Sequence, residues 1–334
     1  MPSAPDRFVT GATPAKLRQD EPIGFMEGTI MSVSEVAPGE SNALTSGPSY
    51  LLWENADGLI ADWEMSGNNL IAANFVLGNP NPSWQAIGMG NFGGGPSDIL
   101  FQNTGGEAAV WEMNGTHRTG ATDLVHSLGP SWKAIGTGDF NADGHSDILW
   151  QNPSTGQAAI WELNGTSLIA GRYLPLDPGP SWKAIGTGDF NADHHSDILL
   201  QNTSSGQVAI WEMNGLKVIG GGTLGLDPGP SWQVIGAGDF NADGHSDILL
   251  QNANSGQVAI WEMNGTNVIG GGTLGLDPGP SWHAIGTGGA GSPDILFQNT
   301  NGQAAIWEMS GTNIVGGGTV SPNLGSSWRA VGLS

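Results

Sequence analysis

The chain has 334 residues, 31 acidic against 9 basic, for a net charge of −22. This length allows one large or two ordinary domains with a sizeable core. So few cations cannot build a basic patch, which argues against nucleic acid as a partner and against anionic membrane surfaces. Cysteine is absent, so there are no disulfides, thiolate metal sites or Cys nucleophiles.

Residues 1–47 open the chain without an apolar stretch of the secretory-signal kind. They carry no copy of the pattern that fills the rest. They read as an extension that packs on the following domain or mediates association of copies; a degenerate further unit is the other reading. No run of about 18 apolar residues occurs anywhere, so no membrane insertion is expected.

From Ser49 onward the chain repeats itself. Trp-Glu recurs at Trp63, Trp111, Trp161, Trp211, Trp261 and Trp307, spaced 48, 50, 50, 50 and 46 residues apart. Ser-Trp recurs with the same spacing at Trp84, Trp132, Trp182, Trp232, Trp282 and Trp328. Of the 14 tryptophans only Trp53 and Trp150 remain, and both fall at a further repeated position that elsewhere carries Phe or Leu. One unit reads as four short strands: "SWQVIGAGDF" (231–240), "DILLQN" (247–252), "GQVAIWEMNG" (256–265) and "NVIGGGTLGL" (267–276). Gly, Asn, Asp, Ser and Pro punctuate them.

Four antiparallel strands per radially repeated unit describe a β-propeller blade. A solenoid usually has shorter repeats, and separate four-stranded domains could not bury their own faces. The first recognisable strand, "SYLLWEN" (49–55), matches the second strand of the unit; the last, "SSWRAVGL" (326–333), matches the first. The expected fold is therefore all-β, a six-bladed β-propeller of four-stranded antiparallel blades over residues 48–334. Its ring is closed by the C-terminal strand pairing with the N-terminal blade, which removes open edges.

Between first and second strands three units carry an acidic loop: "DFNADGHSD" at 139–147 and 239–247, and "DFNADHHSD" at 189–197. Side-chain oxygens at positions 1, 3, 5 and 9, with a backbone carbonyl at 7, suit a hard cation taking six to eight oxygens. The expected Ca²⁺ ligands are Asp139, Asn141, Asp143, His145 (through its carbonyl) and Asp147. The second set is Asp189, Asn191, Asp193, His195 and Asp197; the third is Asp239, Asn241, Asp243, His245 and Asp247. About three Ca²⁺ sites follow, with weaker binding where His194 replaces the glycine at position 6. A metal-free Asx turn is the alternative. The loops at 91–98 and 288–294 keep only the last Asp and should bind no metal.

With these residues in view, "SWKAIGTGDFNADGHSDILWQN" (131–152) closely resembles the FG-GAP repeat of integrin-type propellers, over roughly residues 49–334. Within that group the chain is similar to free-standing fungal integrin-like lectins that bind N-acetylglucosamine. The resemblance implies a multivalent carbohydrate-binding protein that engages glycans or glycoconjugates, extracellular or at the cell surface. The alternative is a protein-binding adhesion or scaffold propeller whose Ca²⁺ sites are structural. Sugar recognition needs aromatic faces and amides, and these recur on the rim opposite the acidic loops. The candidates are Gln151, Asn152, Gln157 and Trp182; Gln201, Asn202, Gln207 and Trp232; and Gln251, Asn252, Gln257 and Trp282. The same residues would equally serve as inter-blade core and turn caps. The glutamate of each Trp-Glu pair is a further candidate, with a structural partnership as its plainer use. No singular catalytic constellation is legible, so no enzyme activity is expected.

Overall fold

The computed structural model describes residues 48–334 apart from 77–81, 94, 96 and 290–292. The expectations for residues 1–47 lie outside the described residues. The described chain forms six four-stranded antiparallel sheets: blade 1 holds the strands within Ser49–Val76 together with Trp328–Leu333, and blades 2 to 6 open with the strands that begin at Trp84, Lys133, Trp182, Trp232 and Trp282. Blade 4 is typical: Trp232–Gly238 of blade 5 follows its outer strand, and its own strands are Trp182–Gly188, Asp197–Asn202, Val208–Asn214 and Lys217–Thr223, in that order from the axis outward. The first strands of successive blades neighbour one another around the centre.

Alternation explains how the ring holds together. Successive strand residues point to opposite faces, so each blade offers one apolar face to each neighbour. Six apolar clusters result, each shared by two adjacent blades. Phe140, Leu149 and Ile160 of blade 3, for example, pack against Ile198, Leu200 and Trp211 of blade 4. Trp150 and Trp161 sit with ring centroids 4.8 Å apart, and Phe101 and Trp111 4.6 Å apart. The position that varies between Trp, Phe and Leu is thus the partner of the Trp-Glu tryptophan.

The third and fourth strands meet at two-residue turns headed by glycine. Asn214 pairs with Lys217 across Gly215, whose φ of 56° lies in the left-handed region. A side chain there would also collide with the Glu162 carboxylate reaching over from blade 3. Glu212 and Glu308 approach Gly265 and Gly67 in the same way, so these three glutamates lie across the seams between blades.

The ring closes as expected. Trp328–Leu333 pairs antiparallel with Ser49–Asn55, from Leu51 opposite Leu333 to Asn55 opposite Trp328. Reciprocal bonds between Tyr50 and Ser334 extend the pairing. No described segment is a helix, so no described helix could cross a membrane.

Candidate functional site

The acidic loops stand on one rim, bent by two left-handed residues each: Ala142 at φ 58° and Gly144 at 86° in the first, Ala192 and His194 at 60° and 70° in the second. His194 thus adopts the conformation expected of the glycine it replaces. The bend brings the Asp139 and Asn141 oxygens onto one amide, that of Asp143, at 3.1 and 3.0 Å. The Asn141 amide group in turn donates to the Asp143 carboxylate. The second and third loops repeat these bonds. Three oxygen-bearing side chains are therefore gathered on one side of the turn.

The last aspartate does something different. Asp147 is fully buried, and its two oxygens accept the amides of Phe140 and Leu163 at 2.8 Å. It ties the loop to the third strand of its own blade. Asp197 and Asp247 repeat this pair of bonds. So does Asp98, in a loop that lacks the other acidic positions. This explains why the aspartate persists where the rest of the acidic motif is gone. Burial pushes Asp147 and Asp197 up to about 7 and Asp247 to about 6, with nearby loop carboxylates adding to the rise. Among the described residues no three acidic or histidine side chains converge as a metal cluster, because the innermost one is turned onto amides. The donor set, all oxygen and rich in carboxylate, nonetheless fits a hard cation such as Ca²⁺.

Two of the three histidines at position 7, His195 and His245, bond to the preceding blade and to the turn of their own blade. His195 Nδ1 donates to the Phe140 carbonyl at 2.7 Å, and Nε2 then accepts from the Asn214 amide at 3.2 Å. His245 bridges Phe190 and Asn264 in the same way. Next to them Ser196 and Ser246 donate their amides to the Asp189-type carbonyl of the preceding loop, Asp139 and Asp189 respectively. The loops are thereby chained from blade to blade.

On the opposite rim the glutamines named as sugar ligands prove to be clamps. Gln201 is buried; its Nε2 donates to the carbonyls of Gly206 and Trp232, and its Oε1 accepts the Val234 amide at 2.9 Å. Gln151 does the same with Gly156, Trp182 and Ala184, and Gln251 with Gly256, Trp282 and Ala284. Gln102 and Gln298 make the equivalent bonds at two further junctions. Each pins the edge of one blade to the first strand of the next, so little of its bonding capacity is left for a ligand. Asn152, Asn202 and Asn252 cap their own turns through Oδ1. Trp182, Trp232 and Trp282 are half-buried against the inter-blade cores. Gln157, Gln207 and Gln257 remain partly exposed beside them.

Exposed apolar side chains also mark this rim. Leu176, Leu226 and Leu276 are 42, 51 and 58 % exposed. They occupy the same place in three successive crossings between blades, a few residues before the three half-buried tryptophans.

Two features went unnoticed in the sequence because each is a single departure from a repeat. Asp62 stands where the other blades have Val110, Ile160, Ile210, Ile260 and Ile306. It is fully buried on the face of blade 1 that packs against Phe101 and Trp111, and neither oxygen makes a well-formed hydrogen bond. Burial pushes it up to about 7, only partly offset by the Trp63 amide, with Glu64 raising it further. The second is Glu54, which replaces the clamp glutamine and pairs with Arg329. Aligning the six units would have exposed both.

A closed ring of six four-stranded blades makes this chain a β-propeller. The family model of the FG-GAP-like repeat matches residues 139–200 and again 189–250. Among curated proteins no sequence matches the chain. Among solved structures, a chain in the crystal structure of a nidogen/laminin complex is similar in fold, with a TM-score of 0.55 at 14 % identity, covering 85 % of this chain and 97 % of that one. The Dos1 propeller aligns with a TM-score of 0.43 at 10 % identity, covering 78 % of this chain and 64 % of that one. A chain of the Photorhabdus luminescens Tc holotoxin pore aligns at 0.44 and 18 % identity, covering 81 % and 12 %.

Proposed function

We propose that this propeller is a non-catalytic binding scaffold that docks a protein partner on the rim of blades 3 to 5, outside the cell or at its surface. The observation that carries the reading is the exposure of Leu176, Leu226 and Leu276 at one repeated place beside half-buried tryptophans. Exposed apolar groups that recur together mark interaction surfaces, and tryptophans beside them are frequent energetic anchors. Three similar contacts on one rigid ring multiply a weak affinity. A similar ring occurs in a nidogen/laminin complex, an assembly of proteins, which supports a protein partner.

Calcium has a structural part in this proposal. Asp139, Asn141 and Asp143, with their counterparts 50 and 100 residues on, would hold Ca²⁺ together with the position-7 carbonyls. The ion would supply charge neutralisation and cross-link the loop chain. Ring rigidity on the acidic rim would then position the leucines on the other.

The lectin reading keeps one supporting observation, the partly exposed Trp182, Trp232 and Trp282 with Gln157, Gln207 and Gln257 next to them. A glycan array with Ca²⁺, run beside affinity capture and cross-linking with a Leu176→Asp, Leu226→Asp, Leu276→Asp variant, separates the two. The protein reading expects an empty array and a defined partner lost in the variant. Sugar binding that survives the three substitutions would replace it with the lectin.

A further inference from the structure

Five of the six junctions are closed by a glutamine; the junction between blades 1 and 2 is closed by Glu54, which has no N–H to donate. Arg329 supplies the missing donor from the first strand of blade 1. One of its terminal nitrogens, Nη2, donates to Glu54 Oε2 at 2.6 Å and to the Ala86 carbonyl at 3.0 Å. Glu54 Oε1 accepts the Ala86 amide at 3.1 Å. Both oxygens of the glutamate are therefore spent, and its side chain is only 7 % exposed. The arginine is in the opposite condition. It is 54 % exposed, and its bonds use a single nitrogen of a group with five N–H donors.

This ion pair lines a cavity of about 410 Å³ where blades 6, 1 and 2 meet. Trp328 and Gln85 belong to the remaining wall, together with polar groups such as Asn55, Gln298, Asn299 and Ser327. The volume is that of small-molecule sites, and the wall is predominantly polar. Another cavity, of about 240 Å³, lies between blades 2 and 3 and is lined by no such pair.

We propose that the cavity at the ring closure binds a carboxylate carried on a flat or apolar group. The unspent edge of the Arg329 guanidinium receives the carboxylate, whose two oxygens match its paired donors. The flat group lies against Trp328, and the Gln85 amide meets a further polar atom. Glu54 holds the guanidinium plane in place and, having both oxygens bonded, does not compete for the site. A local cation is needed because the chain as a whole carries −22 and repels acids at long range. The acid could be a free small molecule or the side chain of a partner's Asp or Glu. The proposal does not depend on the leucine rim of blades 3 to 5, which lies across the ring.

The test uses the full chain, with tryptophan fluorescence and calorimetry as readouts. Benzoate stands for a free flat acid, benzamide for its neutral copy, and N-acetyl-glutamate amide for a partner's side chain. Benzoate should saturate and bind at least tenfold tighter than benzamide. Added binding of N-acetyl-glutamate amide would assign the partner source; its absence beside benzoate binding would assign a free acid. The variant Glu54→Gln with Arg329→Gln recreates the Gln251 and Gln233 pair that face each other within blade 5, so it should fold and lose benzoate. Arg329→Lys, which keeps charge but not the fork, should weaken benzoate about tenfold. Failure of both carboxylates to saturate, or undiminished binding in the double variant, overturns the proposal.

Discussion

Blades 3 to 5 and blade 1 are built from one repeat but settle their seams with different chemistry. In blades 3 to 5 the seam is apolar where Ile160, Ile210 and Ile260 pack, and a buried glutamine clamps its lower edge. In blade 1 the equivalent places hold Asp62 and Glu54, a buried carboxyl group without a well-formed hydrogen bond and an ion pair. The regular blades spend their polar groups on the frame. The closing blade, whose strands come from both ends of the described ring, leaves cation, carboxylate and cavity over. In a repeat protein, uniform positions report on packing, and the exceptions are where unspent chemistry collects.

The contrast can be broken from either side. The largest effect is expected from the acidic loops, which only blades 3 to 5 carry in full. Ca²⁺ at a hundred times its dissociation constant should add about 2.7 kcal/mol per loop. Scanning calorimetry should show the melting temperature rise with Ca²⁺ and fall in chelator, with about a third of the rise lost in Asp239→Asn with Asp243→Asn. Identical melting curves in both buffers would remove the metal from the account.

Next comes Asp62→Ile, which gives blade 1 the seam of its neighbours. Asp62 titrates near 7 in the fold, above the usual carboxylate value of 3.8. The folded state therefore holds its proton more tightly than the unfolded chain, and stability is lost as pH rises from about 4 to 7. A shift of about three pH units corresponds to roughly 4 kcal/mol. Urea unfolding should show Asp62→Ile stabilising at pH 8 by an amount of that order, with most of the gain absent at pH 4. Asp294, raised to about 6 chiefly by burial, acts with the same sign, so the variant should flatten the pH profile without abolishing it. A gain independent of pH would mean that cavity filling alone is at work.

A smaller loss is expected from Gln201→Ala. It strips a buried clamp from the Val234 amide and the Trp232 carbonyl, at a cost of about 2–3 kcal/mol in the unfolding free energy measured by denaturant titration. The smallest is Glu54→Gln, which restores the clamp chemistry of the other junctions and should change stability by less than about 1 kcal/mol. If the glutamate proves as costly to replace as Gln201, the ion pair is a frame element and the two junctions are equivalent after all.

Much of this was legible in the residues. The spacing of Trp-Glu and Ser-Trp, the four apolar runs per unit and the offset between first and last strand led to six blades and to the closing pair, Ser49–Asn55 with Trp328–Leu333. The acidic loops could be placed on one rim because strand order alternates rims. The glutamines were less transparent. Gln151, Gln201 and Gln251 fall at strand ends, where an exposed amide and a buried clamp have the same sequence appearance. Their bonds reach 31 to 33 residues ahead, into the next blade. The last aspartate of each loop was ambiguous for the same reason, since its partner Leu163 or Met213 comes from another strand.

Local pattern by itself determined strand, turn and repeat, because those depend on neighbours within a few residues and on a period of two. Tertiary structure decided which polar groups were free. Whether Gln201 meets a ligand or a carbonyl, and whether Arg329 faces a cavity or a neighbour, depends on the blade brought alongside. Only the closed ring sets Arg329 beside Glu54, 275 residues earlier in the chain.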